Sequence, residues 1–220
     1  MAAENNNYTQ KLASEYYPDK TPKYIVNDEI KTEIENRLGT QLPDDYYDFI
    51  NNFGYGSFNY YVKVFNFFRM NGIEDYFQET QDNKEIMQEL KDMKSQLGFD
   101  DVISVVENGK IISKTQSSDL RDVSIDNFDE EVRKKIIKCG IGYPYEFYSN
   151  GSGLIYWGST DDHNFFWNYN NDIFTVVLYE DDGGFYEFDM SCTEFLYNFL
   201  HEKIIPLYGS DKFIYNEYDE

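Results

Sequence analysis

Residues 153–167 read G-L-I-Y-W-G-S-T-D-D-H-N-F-F-W, and residues 174–196 read F-T-V-V-L-Y-E-D-D-G-G-F-Y-E-F-D-M-S-C-T-E-F-L. Aromatic and β-branched runs alternate here with turn residues, which is the pattern of short strands. Strands are expected at Leu154–Trp157, Asn164–Tyr169, Phe174–Glu180 and Phe185–Asp189. Asp182-Gly183-Gly184 is a tight turn, and short turns between neighbouring strands imply antiparallel pairing. Ser191 and Glu194 have capping-box spacing, with Phe195, Leu196, Phe199 and Leu200 following on one helical face.

Upstream, Asn27 caps a helix to about Leu38, with Ile30, Ile34 and Leu38 as its stripe and Gly39 as the left-handed stop. Pro43 opens a second helix whose inner face is Tyr46, Phe49, Ile50 and Phe53. The two make a helical hairpin. Tyr60–Phe68 reads as a strand. Asp82–Leu97 reads as a helix with Asp82 and Glu85 as its capping box, Ile86, Leu90, Met93 and Leu97 as its apolar side, and Gly98 as its stop. Val102–Val106 and Ile111–Ile112 flank Asn108-Gly109, the strongest short hairpin signal. Asp129–Lys138 is expected as a charged helix, with Arg133, Lys134, Lys135 and Lys138 as a solvated basic face.

The 220 residues fit a single domain. Residues 1–22, polar and carrying Pro18 and Pro22, are expected as a loosely held arm. Residues 23–208 form the domain, with 69–150 a variable middle, and 209–220 an acidic tail, frayed or lightly docked. The 21 Tyr and 18 Phe argue for a real core. Cys139 and Cys192 have neither disulfide-framework nor zinc spacing. With no long apolar run and a polar start, neither membrane span nor leader is expected, and a reducing, cytoplasmic setting fits best.

The charge is uneven. Lys and Arg number 19 against 41 Asp and Glu, a net of −22; residues 151–220 hold 14 acidic and 2 basic groups, a net of −12. Such a field repels phosphate backbones and speeds encounter with basic proteins. Direct nucleic-acid binding is therefore not expected.

Four constellations have residue types that carry chemistry or binding. Asp161, Asp162 and His163, with Asp181 and Asp182 one hairpin away, have metal-ligand chemistry, but consecutive residues rarely converge on one ion and Asp-Asp is ordinary turn chemistry. Cys192 in a first helical turn could be activated, yet its spacing to Phe195, Leu196 and Phe199 places it in the core. Paired carboxylates could cleave glycosides, but 41 acids make chance pairs common. No nucleophile elbow, P-loop or dinucleotide fingerprint occurs. The remaining constellation is an interaction face. Asp161, Asp162, Asp172, Glu180, Asp181, Asp182 and Glu187 interleave with Tyr179 and Tyr186, and alternate strand residues face opposite ways, so acids and tyrosine tips are expected to point outward. Trp157 and Trp167 are expected in the core. Catalytic residues, metal and cofactor are all expected to be none.

Leu38–Phe58, L-G-T-Q-L-P-D-D-Y-Y-D-F-I-N-N-F-G-Y-G-S-F, together with residues 152–200, resembles the SUKH superfamily, close to its cell-wall-assembly-regulator branch. The likeness covers about 27–58 and 151–202. It implies an α+β fold, a mostly antiparallel sheet flanked by helices. It also implies an immunity protein that neutralises a cognate toxin by direct binding, the toxin being a basic protein such as a nuclease. The alternative is a regulatory scaffold or adaptor without a toxin. A monomer or weak homodimer is expected. The family brings no catalytic motif, so none is assigned.

Overall fold

The structure is a computed structural model, and its description covers residues 7–17, 25–69, 71–97, 101–115, 124–181, 183–207 and 213–218. Pro18, Pro22, Gly98, Asp182 and the tail residues 209–212 and 219–220 lie outside the described residues, as does the side chain of Leu97.

Among the described residues, six helices flank one ten-stranded sheet in an α+β arrangement. The helices are α1 (Tyr8–Tyr16), α2 (Asp28–Leu38), α3 (Asp44–Phe53), α4 (Gly72–Leu97), α5 (Glu130–Arg133) and α6 (Cys192–Leu200). The strands are β1 (Gly56–Phe58), β2 (Val62–Val64), β3 (Val102–Glu107), β4 (Lys110–Lys114), β5 (Ile136–Ile141), β6 (Gly153–Ser159), β7 (His163–Asn170), β8 (Ile173–Glu180), β9 (Gly184–Phe188) and β10 (Tyr215–Glu217). The sheet order is β10-β1-β2-β6-β7-β8-β9-β5-β3-β4, and every strand pair is antiparallel.

The 153–200 block folds as its pattern predicts, because each strand carries its own aromatic load. On the sheet face under α1, α3 and α6, Trp157 and Trp167 stack at 5.5 Å, and Phe195 of α6 meets Trp157, Phe165 and Phe188. The Trp157-Gly158 pair has a geometric cause. The register slips between Tyr156 and Gly158, so Trp157 is an extra residue. A Cβ on Gly158 would lie 2.7 Å from the Lys63 carbonyl oxygen and 3.1 Å from the Phe165 ring, so only glycine lets β2 pair there. Ser191 caps α6, its hydroxyl accepting from the Glu194 N–H.

The second face is covered by α4 and residues 142–149, through Tyr145 on Tyr179 and Phe147 on Phe166. This helix corrects the sequence reading. It begins at Gly72, so Asp82 and Glu85 are mid-helix and cap nothing. Its inner stripe is Ile73, Tyr76, Thr80 and Met87, whereas Ile86 and Met93 are 57% and 50% exposed. Leu90 of the expected stripe is half-buried against the core, whereas Met87 replaces Ile86 on the inner side.

The N-terminal end differs from expectation, and the described part of the tail takes the docked alternative. Far from a loose arm, residues 7–17 are a capped helix whose Leu12 and Tyr16, at i,i+4, are buried with Tyr17. The tail returns as β10 beside β1, and Tyr215 is buried among Phe49, Phe53 and Phe58. Aromatic burial holds both segments down; each such ring removes about 150–250 Å² from water.

Of Tyr60–Phe68, only Val62–Val64 is strand. Asn59 and Tyr60 both have positive φ and form a tight turn after β1, a strand not anticipated. Asp129–Lys138 yields one short helix, α5, and then turns into β5. The Asn108-Gly109 hairpin forms as expected, with φ of 48° and 71°.

Candidate protein interface

Strand pairing decides which acids meet. The loop Thr160–Asp162 joins β6 to β7, and His163 opens β7 opposite Glu180, the last residue of β8. Asp181 therefore lies beside Asp162, its N–H donating to the Asp162 carbonyl at 3.2 Å. Thr160 fixes the loop. Its hydroxyl accepts from the Asp162 N–H at 3.2 Å and lies 3.0 Å from His163 Nδ1. Asp161, Asp162 and Asp181 are exposed, and Glu180 is half-buried. None of the three exposed aspartates joins an ion pair among the described residues.

The β1–β2 turn completes this rim. Tyr61 OH donates to Asp162 Oδ2 at 3.5 Å. Its phenol is pushed above the ordinary value, first by burial and then by the Asp162 and Asp161 charges, against an opposing Thr160 hydrogen bond. Neighbouring Tyr60 is 67% exposed with φ of +59°. A bulky residue in that region is strained, and such strain concentrates at functional positions. The rim thus presents three exposed carboxylates that, among the described residues, join no ion pair, next to a turn whose Tyr61 reaches Asp162 and whose Tyr60 stacks on Tyr218 at 6.2 Å.

The remaining proposed face residues are elsewhere. Asp172 is exposed in the β7–β8 turn, at the far end of the strands and about 25 Å from Asp162 at 3.3 Å per residue. Glu187, Tyr179 and Tyr186 do not point outward at all; they are 3%, 2% and 7% exposed. Alternation fails because helices and loops cover both faces of the central sheet, as in strands buried on two sides. Tyr179 stacks on Tyr143, and Tyr186 packs on Phe128.

Glu187 instead centres a polar network that sequence reasoning missed. Its Oε1 accepts from Asn168 Nδ2 at 2.8 Å and Thr175 Oγ1 at 2.7 Å. Its Oε2 accepts from Tyr145 OH at 2.7 Å and lies 3.0 Å from Lys138 Nζ. Burial pushes this carboxyl up, but the three hydrogen bonds and Lys138 outweigh it and hold the carboxyl below its ordinary value. Lys138 is thereby removed from the expected solvated basic face. Arg133, Lys134 and Lys135 pair with Asp126, Glu130, Glu131 and Glu194. The one signal for Glu187 was the unbroken apolar run of β8, which marks a strand covered on both sides.

Among the described residues, reactive groups do not converge. Cys192 is buried, its thiol pushed well up by burial and then by Asp45, whose Oδ2 lies 3.2 Å away. Burial pushes Cys139 up to about 11. Among the described residues no group of three or more His, Cys, Asp or Glu is placed to hold a metal ion, and no helix is long and apolar enough to cross a membrane. A cavity of about 260 Å³ is lined by Tyr55, Lys63, Arg69, Asp75 and Tyr218, and one of about 370 Å³ by Lys84, Lys91, Tyr145 and Phe147; neither includes His163.

Compared with known proteins, the chain matches no family model, no curated protein and no solved structure.

Proposed function

We propose that this chain is a cytoplasmic immunity protein of the SUKH kind, which neutralises a cognate basic toxin, a nuclease in the leading case, by direct binding. One observation carries the reading: Asp161, Asp162 and Asp181 lie together, exposed and, among the described residues, without cationic partners, with Tyr61 on Asp162. Unpaired carboxylates on a fixed loop attract a positively charged surface and raise the association rate. Tyr60, exposed in the same turn as Tyr61, offers an aromatic anchor for a partner. Tight inhibition then needs only a few of the charge pairs to become buried.

The test is rescue. Co-expression with a toxin encoded beside this chain's gene should restore growth, and the two proteins should co-purify as a stable complex. Exchanging Asp161, Asp162 and Asp181 for Asn should abolish rescue while leaving the chain folded. Absence of both complex and rescue sinks the proposal and leaves the adaptor reading in its place.

A further inference from the structure

Asn-Gly occurs at residues 71–72, 108–109 and 150–151. All three asparagines have positive φ, 62°, 48° and 53° in turn. The dipeptide has a reactivity of its own. Glycine has no side chain to shield its backbone nitrogen, so that nitrogen can attack the carboxamide carbon of the preceding asparagine. In a folded protein the surroundings decide which pair reacts, because a covered site must wait for local opening.

At Asn71-Gly72 the glycine is buried at the start of α4, and its N–H donates to the Arg69 carbonyl at 2.9 Å. A Cβ there would lie 2.2 Å from the Asn66 carbonyl oxygen and 2.9 Å from Arg69 Cγ. The nitrogen is engaged and the space around it is filled. At Asn108-Gly109 the glycine is half-buried, and Arg133 covers the turn, its Cγ and Nε 3.2 and 3.3 Å from the position of a Cβ on Gly109.

At Asn150-Gly151 nothing lies within 4 Å of the corresponding position. Ser149, Asn150, Gly151 and Ser152 are all exposed. The Gly151 N–H has no acceptor among the described residues. Asn150 Nδ2 donates to Ser149 Oγ at 3.2 Å, a contact within the same exposed turn. Both this turn and the Asn108 turn have positive φ at the two central residues, 53° and 89° here against 48° and 71° there. Cover is what separates them.

We propose that Asn150-Gly151 is a site of spontaneous covalent modification, where the folded chain converts its own asparagine to aspartate and isoaspartate. The Gly151 nitrogen gives its proton to hydroxide and attacks Asn150 Cγ. The Cγ–Nδ2 bond breaks, ammonia leaves with a proton taken from water, and a succinimide ring closes. Water then opens the ring at one carbonyl to give aspartate, or at the other to give isoaspartate, whose main chain runs through the former side chain. Either product places a carboxylate just before β6. Isoaspartate also lengthens a two-residue turn by one backbone atom, which breaks the paired Ser149 and Ser152 hydrogen bonds. Strand β6 separates this turn from the Thr160–Asp162 loop, so the site and the aspartate rim can fail independently.

The test holds the full-length chain in mildly alkaline buffer, folded and in denaturant, and follows each asparagine by peptide mapping with mass spectrometry. In denaturant the three pairs should convert at similar rates. In the folded protein Asn150 should lead, Asn108 should lag it about tenfold, and Asn71 should lag further. Arg133→Ala uncovers the Asn108 turn and should bring Asn108 close to the Asn150 rate, with Asn150 itself unaffected. Conversion of Asn108 or Asn71 as fast as Asn150 in the folded protein would overturn the proposal. So would an Asn150 that stays intact while the denatured chain converts fully, or an Asn108 rate that Arg133→Ala leaves unmoved.

Discussion

Residues 153–200 and residues 71–141 are both strand and helix around one sheet, yet they are built differently. In the first, each strand and α6 bring their own large rings, and Trp157, Trp167, Phe165, Phe188 and Phe195 are all buried together. In the second, α4 is long and mostly exposed, and β4 is exposed throughout. Local pattern dictates packing where every element is rich in aromatics. Where apolar residues are sparse, the partner surface chooses which few are buried.

Truncating the core should break that contrast most visibly. Trp167→Ala should cost about 3–5 kcal/mol, because a fully buried ring leaves a cavity. Chemical denaturation measures it, and a loss below about 1 kcal/mol would mean the stacked tryptophans are not the centre of the core.

Next is the network on the opposite face. Glu187→Gln should cost about 3 kcal/mol, since it leaves Lys138 and three donors facing an uncharged group. The sign with pH follows from the lowered carboxyl. Its stabilisation is complete above the ordinary value of 4.5 and is lost as pH falls through the lower folded value. The variant should therefore show a flatter acid limb of stability below about pH 4.5 than the parent chain. Parallel acid limbs would contradict the network.

The helix gives a sharper, smaller test. Met87→Ala should cost about 2 kcal/mol, and Ile86→Ala less than about 0.5 kcal/mol, because only Met87 is inside. The reverse order would restore the stripe read from the sequence.

That stripe illustrates what the residues make legible. Asn27, Gly39, Ser191 and Asn108-Gly109 have local geometric meanings, and each does what its type predicts. The phase of α4 was not legible, because Ile86 and Met87 are adjacent and either could lead a stripe. Tyr60–Phe68 looks uniformly strand-like, and only tertiary pairing with β6 and β10 puts a turn at Asn59-Tyr60. Asp162 and Asp181 were legible as neighbours once an antiparallel hairpin was assumed. Glu187 was not, since the identical alternation rule sends it outward unless a second layer covers the sheet.

The smallest structural effect should come from the rim itself. Exchanging Asp161, Asp162 and Asp181 for Asn should leave the denaturation midpoint unchanged, since these side chains are exposed.

The most direct measurement is the association rate of the chain with its cognate toxin as a function of salt. The parent chain should associate fast at low ionic strength and slow steeply as salt rises, and the triple Asn variant should associate about tenfold more slowly with a shallower slope. Superimposable salt profiles for the two proteins would contradict docking through this rim.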